Sequence, residues 1–310
     1  MVRETDSGGL RRHSVAVGPM MPDVGSWEWV GQDFCRALAA EFEVQTWTDH
    51  PPGCDLAIVV KYGFGPQLAT VPSQGLIYCP IDAYGSSPEI DLHGPLLRRC
   101  DRVILHSESL RPYFQSYART EILDHAIRYW SEPGTASPND GPLLWVGHRS
   151  HLPILVDRVN RKPLPAPLIV LTNLESESTR AVDAGFQSPD VTLADWSAER
   201  HIEWSGKAMA AFDVKGTDFR QRHKPPAKAI DFLASGLPFA VNDDSVTARQ
   251  LRSIGFDVAS IDDPDRWLSS GYRSRTHEFA SRVRSSHSLD AVGERLRNIV
   301  RDVLGSEATA

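Results

Sequence analysis

The strongest chemical mark in this sequence is a run of cations, KGTDFRQRHKPPAK, in which Lys215, Arg220, Arg222, Lys224 and Lys228 stand against the single acid Asp218. Five positive charges less one leave +4 on a short segment of a chain whose net charge is -7. Pro225 and Pro226 then open a helical stretch, Pro226–Ser235, since a missing N–H costs nothing in a first turn. Arg222, His223 and Lys224 therefore stand at the positive end of the helix dipole, where cations are destabilising. An anion between them removes the conflict, and helix-end N–H groups suit phosphate. The chemistry predicted is point binding of a phosphate or diphosphate. The competing reading is a solvated basic loop paired with nearby acids.

Within that helix Asp231 stands five residues before Gly236, and Gly236–Pro238 ends the helix and feeds the next strand. A carboxylate accepts two hydrogen bonds at once and so suits vicinal hydroxyls. A surface acid paired with Lys228 or Lys224 is the alternative. The segment DFLASGLPFAVND resembles the donor-site element of retaining GT-B glycosyltransferases of the group 1, family 4-like type: an acid, an Ala-rich turn, Gly-x-Pro and an apolar strand. That resemblance implies that Asp231 holds the ribose of a nucleotide sugar such as a UDP-sugar. Asp231 matches the second of the family's two acids; the first, eight residues earlier and in contact with the donor sugar, falls here on His223.

Two further segments carry the resemblance. LLWVGHRS, Leu143–Ser150, is similar to the family's strand–Gly–Arg opening and implies Arg149 at the donor diphosphate, with Lys215, Arg222, Lys224 and Lys228 as further donor contacts. A plain surface arginine is the alternative. GPMMPDVGSWEW resembles the loop that closes over donor phosphate and acceptor, which singles out Gly25, Ser26 and Trp27; core packing of Trp27 and Trp29 is the other reading. An inverting reaction would need a general base, for which Asp23, Asp82 and His106 are the candidates, each with a structural reading beside it. A retaining one would not, because the leaving phosphate can take the proton.

G-x-x-x-x-G-K-[ST], G-x-G-x-x-G with a downstream acid and H-E-x-x-H are all missing, which removes the main support for ATPase, dehydrogenase and zinc hydrolase readings. Without a D-x-D run after a strand, a metal-independent transferase with no cofactor beyond its donor substrate is expected. The function expected is transfer of a sugar, hexosyltransferase-like, from a nucleotide-diphosphate donor to an unidentified acceptor hydroxyl. A nucleotide-sugar epimerase or hydrolase on the same fold is the alternative enzyme, and a non-catalytic nucleotide-sugar-binding or scaffold protein the alternative class.

These residues need a frame to position them. Short β-branched runs alternate with helical stretches twice along the chain, the signature of βαβ units on parallel sheets. The first series has strands at Ser14–Gly18, Glu43–Trp47, Leu56–Tyr62, Gly75–Ile81, Arg102–His106 and Glu121–His125, with a helix Trp27–Phe42 capped by Ser26. After the Pro- and Gly-rich stretch SEPGTASPNDGP the pattern restarts with strands at Leu143–Gly147, Leu168–Thr172, Val191–Ala194, Ala210–Val214, Pro238–Asn242 and Asp257–Ile261. Leu289, Val292, Leu296, Ile299, Val300 and Val303 form one stripe of a terminal helix. The expected fold is α/β: two Rossmann-like, doubly wound domains facing a central cleft. Residues 1–130 form an acceptor domain, 131–142 a linker, 143–286 a donor domain and 287–310 a C-terminal helix.

The 310 residues suit two such domains, and 33 Lys+Arg against 40 Asp+Glu predict no general affinity for nucleic acid. The polar N-terminus lacks the apolar core of a signal peptide, and no run approaches the ~20 apolar residues of a membrane span, so a cytoplasmic protein is expected. Cys35, Cys54, Cys79 and Cys100 show no CxxC pairing and read as small buried hydrophobes.

Overall fold

The computed structural model of this chain describes residues 12–22, 24–61, 65, 73–132, 140–174 and 179–306. Most of the expected linker, 133–139, lies outside the described residues. Six strands build a first parallel sheet: β1 (Ser14–Gly18), β2 (Glu43–Thr46), β3 (Cys54–Val60), β4 (Ser73–Cys79), β5 (Arg102–Leu105) and β6 (Thr120–Ile122), in the order β2-β1-β3-β4-β5-β6. A second holds β7 (Leu143–Val146), β8 (Leu168–Thr172), β9 (Val191–Asp195), β10 (Ala210–Asp213), β11 (Phe239–Val241) and β12 (Ala259–Ser260), in the order β12-β11-β10-β7-β8-β9. Both are doubly wound α/β sheets. Strand order reverses between β1 and β3 in the first and between β7 and β10 in the second. Ligand crevices of open α/β sheets form at the carboxyl ends of such strands.

The central strands are enclosed on both faces, as parallel strands must be. Val15, Ala57, Ile58, Leu144, Val170 and Phe212 are all at 0% exposure. The terminal helix, Leu289–Ser306, follows the second domain in sequence yet lays Val292, Leu296, Val300 and Val303 into the core of the first sheet. It packs there against the Gln32–Leu38 helix, with Arg297 donating to the Ala37 carbonyl at 2.8 Å and Arg301 bidentate on Glu41.

The helix expected over Trp27–Phe42 differs at its start. Its first turns, Trp27–Gly31, are wound wide, and only Gln32–Leu38 is regular α-helix. Ser26 already has helical φ and ψ of -66° and -33° and makes no side-chain cap. Burial of Trp27 drives the distortion: a Cβ at Gly31 would lie 2.1 Å from the Trp27 ring, so glycine there lets the indole fold back into the core.

In the second domain the Ala227–Ala234 helix begins one residue after Pro226 and ends as the sequence reads. Gly236 takes the left-handed φ of +70° and Leu237 N–H reaches back to the Phe232 carbonyl at 2.9 Å. No helix among the described residues is long and apolar enough to cross a membrane. The four cysteines are free, Cys79 and Cys100 buried.

Candidate functional site

The basic segment reaches the cleft after β10, and its cations there meet carboxylates outside the Lys215–Lys228 stretch. Asp213 ends β10, enclosed at 6% exposure, with Lys215 Nζ at 2.7 Å and Lys228 Nζ at 3.5 Å. Burial pushes its carboxyl up, but the two lysines outweigh that and hold it well below the ordinary carboxylate range. Lys228 also donates to the Val146 carbonyl and lies over the Trp145 ring. Burial lowers its ammonium to about 8 despite Asp213.

A second carboxylate comes from the other domain. Asp82, two residues past the β4–Pro80 end, has Lys61 Nζ 2.6 Å from Oδ1 and Lys224 Nζ 3.8 Å from Oδ2. Burial raises this carboxyl, and Lys61 followed by Lys224 overcomes the rise and keeps it ionised. Four lysines and two carboxylates thus leave +2 at the mouth of the Ala227–Ala234 helix. His151 feels that field: burial first, then Lys224 and Lys228, bring its imidazole down to about 4, neutral at pH 7. Neighbouring Arg149 is exposed, with its backbone N–H bonded to Asn173 Oδ1 at 2.9 Å.

Along one flank the domains touch directly. Arg220 Nη2 donates to the Ala83 carbonyl at 3.1 Å, and Tyr113 meets the rings of Phe219 and His223 at 5.2 and 5.4 Å. The space behind them, beside Asp82 and Tyr84, is about 10 Å³, room for one water. His223 is spent on this packing and on a 2.7 Å bond to the Phe219 carbonyl, while Arg222 points to solvent from the short Phe219–Arg222 helix. Asp218, the acid counted against the cations, caps that helix through Gln221 N–H.

Asp231 departs from its expected place. It is 1% exposed, and Oδ1 accepts the backbone N–H of Arg128 at 2.7 Å in the segment that connects the domains. The carboxylate is enclosed against that connector, so the ribose contact expected of it does not follow from this geometry. Among the described residues it has no lysine beside it either. Burial pushes its pKa up to about 7, and the N–H groups of Arg128 and Tyr129 only partly offset the rise.

The candidate base His106 is likewise a connector-side residue. It is buried, its Nδ1 donates to the Leu123 carbonyl, its Nε2 meets Cys79 Sγ at 3.2 Å and its ring stacks on His125 at 4.0 Å. With both nitrogens occupied it has none to offer a substrate. Trp27 is core, whereas Trp29 packs edge-on against His125 and Tyr129. Gly25 is exposed, and a Cβ there would meet nothing within 4 Å. Asp23 lies outside the described residues.

The structure thus brings Lys215, Lys224, Lys228 and Asp82 together, and adds Lys61, Asp213 and His151, which sequence reasoning missed. A signal for two of them was present: Lys61 and Asp213 stand at the carboxyl ends of strands already recognised, where side chains enter the cleft.

No protein-family model matches the chain, and no curated protein does. Solved structures do. The chain superposes on AviGT4, a glycosyltransferase involved in avilamycin A biosynthesis, with a TM-score of 0.66 at 13% identity over 95% of this chain and 98% of that one. It matches the α,α-trehalose 6-phosphate synthase of Burkholderia multivorans with a TM-score of 0.58 at 11% identity, over 82% of this chain and 71% of the other. A third match is a point mutant of S. aureus TarM solved with fondaparinux, α-GlcNAc-glycerol and UDP: TM-score 0.53, 11% identity, 78% of this chain but 54% of TarM. With two doubly wound parallel sheets arranged as in these proteins, the chain has the GT-B fold of glycosyltransferases.

Proposed function

We infer that the protein is a glycosyltransferase that moves a sugar from a nucleoside-diphosphate donor to an acceptor hydroxyl, without a metal and with retention. The observation that carries this reading is the +2 lysine cluster, built from both domains at the carboxyl ends of strands beside both switch points. Point charges on flexible stems suit a diphosphate, whose charge they neutralise as it becomes the leaving group.

Lys215 and Lys228, anchored by Asp213, present fixed ammonium groups at the helix mouth. Lys224 completes the cradle from the helix approach, and exposed Arg149, after β7, closes it from the neighbouring strand. In the transfer step the bond from the anomeric carbon to the phosphate oxygen breaks as the bond to the acceptor oxygen forms. The acceptor proton passes to the departing phosphate oxygen, so no protein base is needed. On this reading Asp82, which faces Lys224 across the cleft, takes a hydrogen bond from the acceptor hydroxyl. UDP is the first nucleotide to try, with ADP, GDP and dTDP beside it.

Calorimetric titration of these four into wild type and Lys224→Ala tests the donor site. We expect one nucleoside diphosphate to bind wild type and the variant to bind it roughly tenfold or more weakly, a loss of about 1.4 kcal/mol or more. Equal binding to both would remove Lys224 from the site. Enclosure of Asp231 favours a second reading, a protein that keeps the fold and the anion site without transferring sugar. Release of nucleoside diphosphate from the matching nucleotide sugar, with an acceptor extract present, separates the two.

A further inference from the structure

Two residues outside glycine have a left-handed backbone among the described residues, and they are neighbours in space. Lys61 has φ of +59° and Ile81 +53°. They follow the paired strands β3 and β4, and Lys61 N–H bonds the Cys79 carbonyl at 2.8 Å. Such a φ is unfavourable for a lysine and more so for a β-branched isoleucine, and strain of this kind collects where a chain must aim side chains. Here it aims Lys61 and Asp82 at one another, 2.6 Å apart, each about 15% exposed at its side chain (15% and 16%).

Lys61 takes Oδ1 of Asp82, and Oδ2 faces Lys224 of the other domain at 3.8 Å, longer than a close ion pair. Asp82 and an incoming diphosphate are therefore rivals for Lys224. Were Asp82 released from Lys61, it would swing its whole charge onto Lys224 and close the anion cradle.

We propose that Lys61 is a positioning residue of the transfer site: it restrains Asp82 from the acceptor domain, so that Lys224 stays available to the donor diphosphate and the carboxylate stays available to the acceptor. This rests on the donor-site reading above. The restraint itself is not legible along the chain, because Lys61 sits far from the basic segment in sequence.

A double-mutant cycle read by calorimetry tests it, with the full chain and the nucleoside diphosphate that binds wild type most tightly. Lys61→Met should weaken binding roughly tenfold, and adding Asp82→Asn should restore it to within about twofold of Asp82→Asn alone, since the rival anion is then gone. Lys61→Gly, which accepts the left-handed backbone without strain, should behave as Lys61→Met does and covers the case in which the methionine variant folds poorly. If the double variant stays as weak as Lys61→Met, Lys61 contacts phosphate itself and the restraint is wrong. Undiminished binding by both single Lys61 variants overturns the assignment equally. A wild type that binds none of the four nucleotides overturns the donor-site reading and this assignment with it, whereas binding without coupling between the two positions overturns this assignment alone.

Discussion

Asp213 and Asp231 lie in the same domain, both enclosed, and their surroundings drive them in opposite directions. Asp213 has two lysines within 3.5 Å and is held ionised well below the usual range. Asp231 is pushed up to about 7 by burial, because the peptide N–H groups of Arg128 and Tyr129 and a weaker pull from the Arg128 charge, itself opposed by Asp33, do not make up for the lost water. Burial acts alike on both, so what separates them is the counter-charge. A carboxylate in a nest of cations serves as a fixed anchor for an anion site, and one without them serves as a joint between domains.

The same substitution should therefore have different consequences at the two positions. Asp213→Asn strands Lys215 and Lys228 without their carboxylate and is expected to cost ~3–5 kcal/mol, as when one partner of a buried pair is removed. Urea unfolding at pH 7 measures it. A cost under ~1 kcal/mol, the range of an exposed pair, would mean that Asp213 is no anchor.

At Asp231 the sign changes. With a folded pKa of about 7 against an ordinary 3.8, the folded state keeps a proton that the unfolded state has lost between those values. Wild-type stability on this account falls as pH rises through that window, by ~2–3 kcal/mol between pH 5 and 8. Asp231→Asn, neutral throughout and still able to accept the Arg128 N–H, should lack that share of the slope. Equal slopes in unfolding series at pH 5 and 8 would break the contrast between the two acids.

The smallest effect concerns Lys228, which links the anchor to the ligand. Its ammonium is lowered to about 8, so it is charged below that pH and loses its proton above it. Affinity for a nucleoside diphosphate should fall as pH rises through about 8, by less than the tenfold per pH unit that one proton allows. Lys228→Arg, charged throughout, should flatten the profile. A wild-type profile flat between pH 7 and 9 would exclude Lys228 from the anion site.

Much of the frame was legible along the chain. Strands such as Ser14–Gly18 and Leu168–Thr172 agree with their expected bounds, because an apolar β-branched run followed by a turn is a local instruction. The Gly236 cap and the apolar stripe from Leu289 to Val303 are local in the same way. The wide turn at Trp27–Gly31 was not legible, since it answers to the room Trp27 needs in the core and overrides the cap that Ser26 offers. Part of the cation cluster was legible too: Lys215, Lys224 and Lys228 were marked by their density ahead of a helix.

What the sequence determined by itself was everything carried by periods and caps of a few residues: two α/β sheets, a basic segment at a helix mouth and a terminal amphipathic helix. Tertiary structure alone decided the rest. It set the terminal helix on the first sheet, turned Asp231 to the connector, and gave the lysines Asp213 and, from across the cleft, Asp82 with Lys61 behind it. The physical reason is that a charge takes its character from whatever lies within a few ångströms. Those neighbours come from strand ends far apart along the chain, which only the closed sheets bring together.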